Sequence, residues 1–275
     1  MTGEKEINEL VVLSRKIRGK IIELSAKAGV AHVGSALSCV DILIALYWRA
    51  LKIDPKKPSD PGRDRFILSK GHAATALYAV LSERGFFGAE TLALLGVEGS
   101  EITEHPGPGS APGVEVGSGS LGHGLSLGIG MALAGRIRRL DYRIFVLMSD
   151  GEMNEGSVWE AALFAPIHKI DNLVAFIDFN RWQATGRSEE IMALEPLAKK
   201  WEAFGWNVYE INGHDFAELV DVLEKTKKKN GKPTIIIAKT VKGKGVSFME
   251  DDNNWHYKIP DQTEVDKALK ELGLK

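Results

Sequence analysis

The sequence predicts an α/β fold, a parallel sheet with helices on both faces. Three observations predict it. Short apolar runs recur at YRIFVLM (142–148), NLVAFIDF (172–179) and PTIIIAKT (233–240), with WNVYEI (206–211) as a weaker fourth. Helical patterns separate them, at SVWEAALFAPIHK, LEPLAKKWEAFG and DFAELVDVLEKTKKK, the alternation that a parallel sheet covered on both sides requires. Finally, no low-complexity tract, internal repeat or long linker interrupts the chain, so a single domain over residues 1–275 is the simplest expectation.

Taken in order, residues 6–29 carry apolar side chains at helical spacing (Ile7, Leu10, Val11, Ile17, Ile21, Leu24), and Val40–Leu51 reads as a second, more buried helix. DPKKPSDPGRDR, rich in proline, aspartate and glycine, ends it. RFILSKGHAATALYAVLSERG then reads as a strand, a tight SKGH turn and a helix stopped by Gly85. A loop dense in glycine and proline (105–124) leads into LSLGIGMALAGRIRR, a helix whose small residues predict close packing. Its successors are the three strands and the helices between them.

Composition removes several function classes. Thirty-five basic and 37 acidic side chains leave a formal charge of −2, so no global field draws the chain to nucleic acid or to an anionic membrane. The first twenty residues lack the apolar stretch of a signal peptide, and no run approaches the roughly 20 apolar residues that span a bilayer. A cytoplasmic protein is the expectation. The one cysteine, Cys39, excludes an internal disulfide and reads as a small buried residue within SCVDILIALYW.

Ligands of such sheets sit beyond the carboxyl ends of the strands, which places SDGEMNEG (149–156), DFNRW and the KTVKGKG turn on one rim. Asp150 leaves a buried strand, Gly151 lets the backbone turn, and a helix expected to begin near Val158 offers its positive end to the same space. Asn180 follows thirty positions later at the end of the next strand. A carboxylate, an amide oxygen and a carbonyl fill about half of an octahedral magnesium shell and leave the rest to phosphate oxygens and water. That is a metal-bridged diphosphate site.

SDG, a helix, a strand and DFN together resemble the thiamine-diphosphate motif, although Ser149 stands where that motif begins with glycine. The resemblance extends over about residues 10–260 to the amino-terminal half of the transketolases, through AHVGSALSCVDIL, RDRFILSKGHAATALYAVL, EHPGPGSAPGVEVGSGSLGHG, SDGEMNEGSVWEAA, IDFN and NGHD. It implies a thiamine-diphosphate-binding fold in which Asp150, Asn180 and the carbonyl of Trp182 ligate Mg²⁺ or Ca²⁺, with Gly151 at the turn. His32, His72, His105 and His256 match histidines that line the channel and touch sugar hydroxyls or the substrate phosphate; His72 also borders the cofactor. Gly119, Ser120 and Leu121 match the loop against the aminopyrimidine ring. Glu155 matches a glutamate facing the neighbouring pyrimidine domain, with a solvated helix-start carboxylate as the competing reading. His123, His168 and His214 read as structural or exposed, and KTVKGKG, a phosphate neighbour by charge, reads rather as a solvated loop.

In the same family the glutamate that activates the pyrimidine ring, and the groups gripping the sugar phosphate, lie on a separate domain. The resemblance therefore implies the amino-terminal subunit of a split transketolase, joined with a carboxy-terminal transketolase subunit in an α2β2 assembly. It would move a two-carbon ketol unit between sugar phosphates. Another split thiamine-dependent ketolase or synthase, or a non-catalytic module of the same fold, are the alternatives.

Overall fold

The computed structural model describes residues 3–275. Five strands, Arg65–Leu68 (β1), Ile144–Ser149 (β2), Leu173–Phe179 (β3), Asn207–Asn212 (β4) and Thr234–Lys239 (β5), form one parallel sheet in the order β1-β2-β3-β5-β4. The helices are Glu4–Ala28 (α1), Val33–Ser38 (α2), Val40–Ala45 (α3), Ala74–Arg84 (α4), Ala89–Leu92 (α5), Gly124–Ile137 (α6), Gly156–Ile167 (α7), Ser188–Ile191 (α8), Leu197–Ala203 (α9), Phe216–Lys225 (α10) and Gln262–Glu271 (α11).

Successive side chains of a strand point to opposite faces, and here both faces are buried. Phe145 and Leu147 of β2, with Val174 and Phe176 of β3, face a core built from α1–α4, α10 and α11. Their neighbours Ile144, Val146 and Met148, with Leu173, Ala175 and Ile177, face a second core under α6, α7 and α9. The expectation of helices on both faces is met. Small residues in α6 serve a close approach: a Cβ on Gly128 would stand 2.7 Å from Val146 Cγ2.

Several boundaries differ from the sequence reading. AHVGSALS, to which the sequence pattern assigns no element, forms α2, while the helix expected over Val40–Leu51 closes at Ala45 and runs on as a π-helical turn, Leu46–Ala50. After Asp150 a 3₁₀ turn, Gly151–Asn154, comes first, and α7 begins at Gly156 rather than near Val158. Cys39 is buried as expected. Among the described residues no helix is long and apolar enough to cross a membrane.

The register sets up the site. Ser149 pairs with Asp178, so β2 and β3 end side by side and release Asp150 and Asn180 from neighbouring strand ends. The residues that follow β1 (Ser69, Lys70) and β5 (Thr240) join the same rim.

Candidate functional site

Lys70 leaves β1 straight into the interior, where no water can solvate an ammonium. Its Nζ meets Asp178 Oδ2 at 2.5 Å and donates to the Ser35 carbonyl at 3.0 Å. Ser38 Oγ donates to the same Asp178 oxygen at 2.5 Å, and Thr240 Oγ1 donates to the other. Against the cost of burial, each partner holds the other ionised: Lys70 is raised and Asp178 lowered from their ordinary values. Removing one member strands the other. Lys70→Met should therefore destabilise the chain by about 3–5 kcal/mol, read by denaturant unfolding; an unchanged midpoint would mean that the pair does not act as a unit.

Asp150 is buried one residue beyond β2, accepting only the amide of Gly151 and the hydroxyl of Ser188, both at 2.9 Å. Burial pushes its carboxyl up to about 7 despite the Ser188 hydrogen bond, with Asp178 adding to the rise. Among the described residues no cationic side chain pairs directly with this carboxylate. Asn180 is also buried, and its Oδ1 accepts the Trp182 amide at 3.0 Å, which turns the chain through Arg181 in the left-handed region (φ 66°). Among the described residues no group of three or more His, Cys, Asp or Glu side chains is placed to hold a metal ion by itself. The donor set on this rim is carboxylate, amide and main-chain oxygen, which suits a hard divalent cation completed by phosphate oxygens.

Asp150 also sets a pH dependence. A carboxyl raised from 3.8 to about 7 contributes stability that is full below pH 4 and is lost as pH rises through 7. Three pH units amount to roughly 4 kcal/mol. His256 opposes this, because burial lowers it to about 3 and its contribution grows between that pH and 6.5. The difference in stability between the unliganded wild type and Asp150→Asn, which cannot ionise, isolates the aspartate. It should shift against the wild type from pH 4 to 7, and a flat difference would contradict the burial argument.

The KTVKGKG turn corrects the sequence reading, because it is not a solvated loop. Lys242 is 1% exposed, with Nζ donating to Asn253 Oδ1 at 2.6 Å and standing 3.0 Å from His256 Nδ1. Burial, reinforced by the Lys70 ammonium, pulls its amine down to about 7, so an anion placed here would draw a proton onto it. In the sequence the only hint was two lysines and two glycines in a row, a pattern that exposed loops share.

The four singled-out histidines do converge. His32 stands with its ring centroid 5.5 Å from His72, 5.7 Å from His105 and 4.8 Å from His256, and His72 lies 5.7 Å from His256. His32 occupies the left-handed region (φ 67°), an arrangement that costs a non-glycine residue about 1–2 kcal/mol and is held by Glu104, whose Oε1 accepts from the Ala31 amide at 3.0 Å and lies 2.9 Å from His32 Nδ1. Burial lowers His32, and burial with Lys70 beside it lowers His72 much further. At neutral pH the His32, His72 and His256 imidazoles are uncharged, which suits hydroxyl groups better than ion pairing.

Glycines shape the wall. A Cβ on Gly71 would come within 2.6 Å of the Ser118 and Gly119 backbone, so the SKGH turn and the GSGSLGHG loop touch main chain to main chain. Gly119 lies against the His105 ring, Ser120 is exposed and Leu121 half-buried. Glu152, which the sequence reading passed over, ties these pieces together: it is buried and accepts the Gly122 amide (3.0 Å), the Ser149 amide (2.8 Å) and the Ser69 hydroxyl. Glu155 is exposed at the start of α7. Trp182 lies under the Arg187 guanidinium, and both side chains donate to Asp251. His123 and His168 are exposed, and His214 is inside, bonded to Asp41.

A five-stranded parallel sheet whose strand ends gather a lone buried carboxylate, an amide and buried lysines defines a diphosphate-binding α/β domain. The chain belongs to the transketolase family: residues 11–275 match the model described as transketolase, thiamine diphosphate binding domain. It is 43% identical over 268 residues to one of the named subunits of the apulose-4-phosphate transketolase of Phocaeicola vulgatus, covering 98% of this chain and 95% of that one. With the 6-deoxy-6-sulfo-D-fructose transketolase subunit SqwG of Clostridium sp. it shares 46% identity, over 85% of each chain. The human transketolase is 37% identical across 98% of this chain, which spans 43% of the human protein. The crystal structure of the Campylobacter jejuni transketolase superposes with a TM-score of 0.90 at 32% identity, over 100% of this chain and 44% of that one.

Proposed function

We propose that the chain is the amino-terminal, diphosphate-binding subunit of a two-chain transketolase, which moves a two-carbon ketol unit from a ketose phosphate to an aldose phosphate. Its cofactors in this reading are thiamine diphosphate and Mg²⁺, with Ca²⁺ as a substitute. The observation that carries the reading is the continuity of one rim: Lys242 links the Asp150 end of the sheet to the four-imidazole cluster through its contact with His256.

The residues fit the group. Asp150 and Asn180, with the Trp182 carbonyl, would hold the metal; Lys242 and the amides around Gly151 would face the diphosphate; Gly119, Ser120 and Leu121 would flank the pyrimidine ring. When bound, thiamine diphosphate supplies the electron sink for carbon–carbon cleavage. The chain's own part is to bind and orient. His32, His72, His105 and His256 line the approach, the neutral rings serving as donors or acceptors to sugar hydroxyls. Lys70 stays paired with Asp178 and keeps a fixed positive charge below the site.

A second polypeptide is supported by two things. Relatives covered over 95% and 96% of their length are named as single subunits of a transketolase rather than as whole enzymes. In addition, the neighbouring helices α6 and α7 leave large apolar side chains exposed: Ile137 is 81%, Ile167 77% and Leu163 60% exposed, and Leu127 and Phe164 are exposed as well. Large exposed apolar patches mark interaction surfaces. The carboxy-terminal transketolase subunit is the expected occupant, in an α2β2 assembly, with Glu155 at the contact.

The names of the two relatives favour one refinement, a donor other than a simple pentulose phosphate. Donor and acceptor profiling of the complex captured by the tagged chain with Mg²⁺ and thiamine diphosphate tests both levels. Ketol transfer from any ketose supports the class and identifies the donor. A captured partner without ketol transfer on any of them would favour the non-catalytic alternative.

A further inference from the structure

Away from the rim, on the far side of the 240–245 turn, lies a closed polar chain that the mechanism does not use. Arg18 of α1 makes a two-pronged contact with Asp41 of α3, at 2.9 and 2.7 Å, and its Nε donates to the Lys244 carbonyl at 2.8 Å. His214, in the loop after β4, stands with Nδ1 2.8 Å from Asp41 Oδ2, and its Nε2 accepts the Val241 amide at 2.8 Å. Because Nε2 accepts, the proton must sit on Nδ1, where it is donated to Asp41. The three side chains are nearly sealed from water, with Arg18 and Asp41 each 5% exposed. Both ends of the chain grip backbone within the turn, one residue before and two residues after Lys242.

We infer that the Arg18–Asp41–His214 chain is a positioning device for Lys242, fixing the turn so that the lysine amine is held over the diphosphate end of the site. The proposed cofactor role of Lys242 is the reading on which this rests. The tip of Lys242 is held by Asn253 and His256, and its carbonyl accepts the Asp251 amide at 2.8 Å while Gly243 N–H donates to the Gly34 carbonyl at 2.9 Å; the Arg18–Asp41–His214 chain adds the hold on the backbone to either side of it. Gly245 carries no side chain because a Cβ there would fall 2.7 Å from Arg18 Cδ, so the guanidinium stem packs directly on the turn. His214 is the one member whose two ring nitrogens join α3 to the turn. It acts through Lys242 and touches no reacting atom.

Two conservative variants separate positioning from plain stability. In His214→Gln the amide oxygen takes the place of Nε2 and keeps an acceptor for Val241, while the link to Asp41 is lost. In His214→Asn the amide nitrogen takes the place of Nδ1 and keeps the donor to Asp41, while Val241 loses its acceptor. Amide hydrogen exchange across residues 240–246 of the 275-residue chain, without ligand, is measured beside thiamine diphosphate affinity in the assembled enzyme. A buried amide left without its acceptor corresponds to about a tenfold change. His214→Asn should therefore raise exchange at Val241 and weaken cofactor affinity each by about tenfold, with melting nearer the wild type; His214→Gln, whose acceptor is no longer anchored on Asp41, should move both in the same direction by less and melt lower. Equal exchange in the two variants, or exchange that simply follows melting temperature, would overturn the proposal. If the exchange pattern holds while cofactor affinity moves in neither variant nor in Lys242→Met, the positioning of the turn stands and the cofactor role of Lys242 falls.

Discussion

Asp150→Ala in the assembled enzyme is expected to abolish metal-dependent retention of thiamine diphosphate, lowering cofactor affinity at saturating Mg²⁺ by at least about a hundredfold. The reasoning is electrostatic. Asp150 is buried, accepts only two hydrogen bonds and is raised to about 7, so its anion is poorly served by the protein alone. A divalent cation beside it supplies the missing countercharge and makes the carboxylate the favoured form, so metal binding should release a proton. Asp150→Asn keeps the shape and removes the charge. It should lose affinity almost as fully while folding at least as stably as the wild type at pH 7.5, since it deletes an anion that burial disfavours. Full cofactor retention in both variants would remove Asp150 from the site.

Assembly should be the second large casualty. Replacing Leu163 and Ile167 together by aspartate puts two charges on the outward face of α7, at positions 60% and 77% exposed. The chain itself should fold normally, because neither side chain is part of either core. Two carboxylates desolvated in an apolar interface without partners would cost several kcal/mol each, enough to separate subunits at micromolar concentration. Sedimentation or gel filtration of the mixed subunits would show this directly, and an unaltered complex would place the partner on another face.

Much of the fold could be read because its signal is local. The strands lie within apolar runs between helical patterns, and β1 matched its expected run residue for residue. Asp150 and Asn180 stood out as turn residues at strand ends, a position where ligands gather, whereas the four histidines stood out through the family resemblance, three of them in glycine-rich turns. The burial of Lys242 was not visible, because it depends on what meets the side chain; here Asn253 and His256, more than ten residues downstream, do so. Lys70 sat in a recognised turn, but its pairing with Asp178 joins residues 108 apart. Glu152 and Glu155 occupy the same acidic stretch, and only the 3₁₀ turn decides that the former points inward and the latter to solvent. Local composition gives no information about that choice.

The central claim is that this chain supplies the diphosphate half of a site completed by a second polypeptide. The direct test is a ketol-transfer assay, with Mg²⁺ and thiamine diphosphate, of the purified chain, of its captured partner and of the two combined. Turnover by the mixture, and by neither component alone, is the predicted result. Turnover by the purified 275-residue chain without a partner would contradict it.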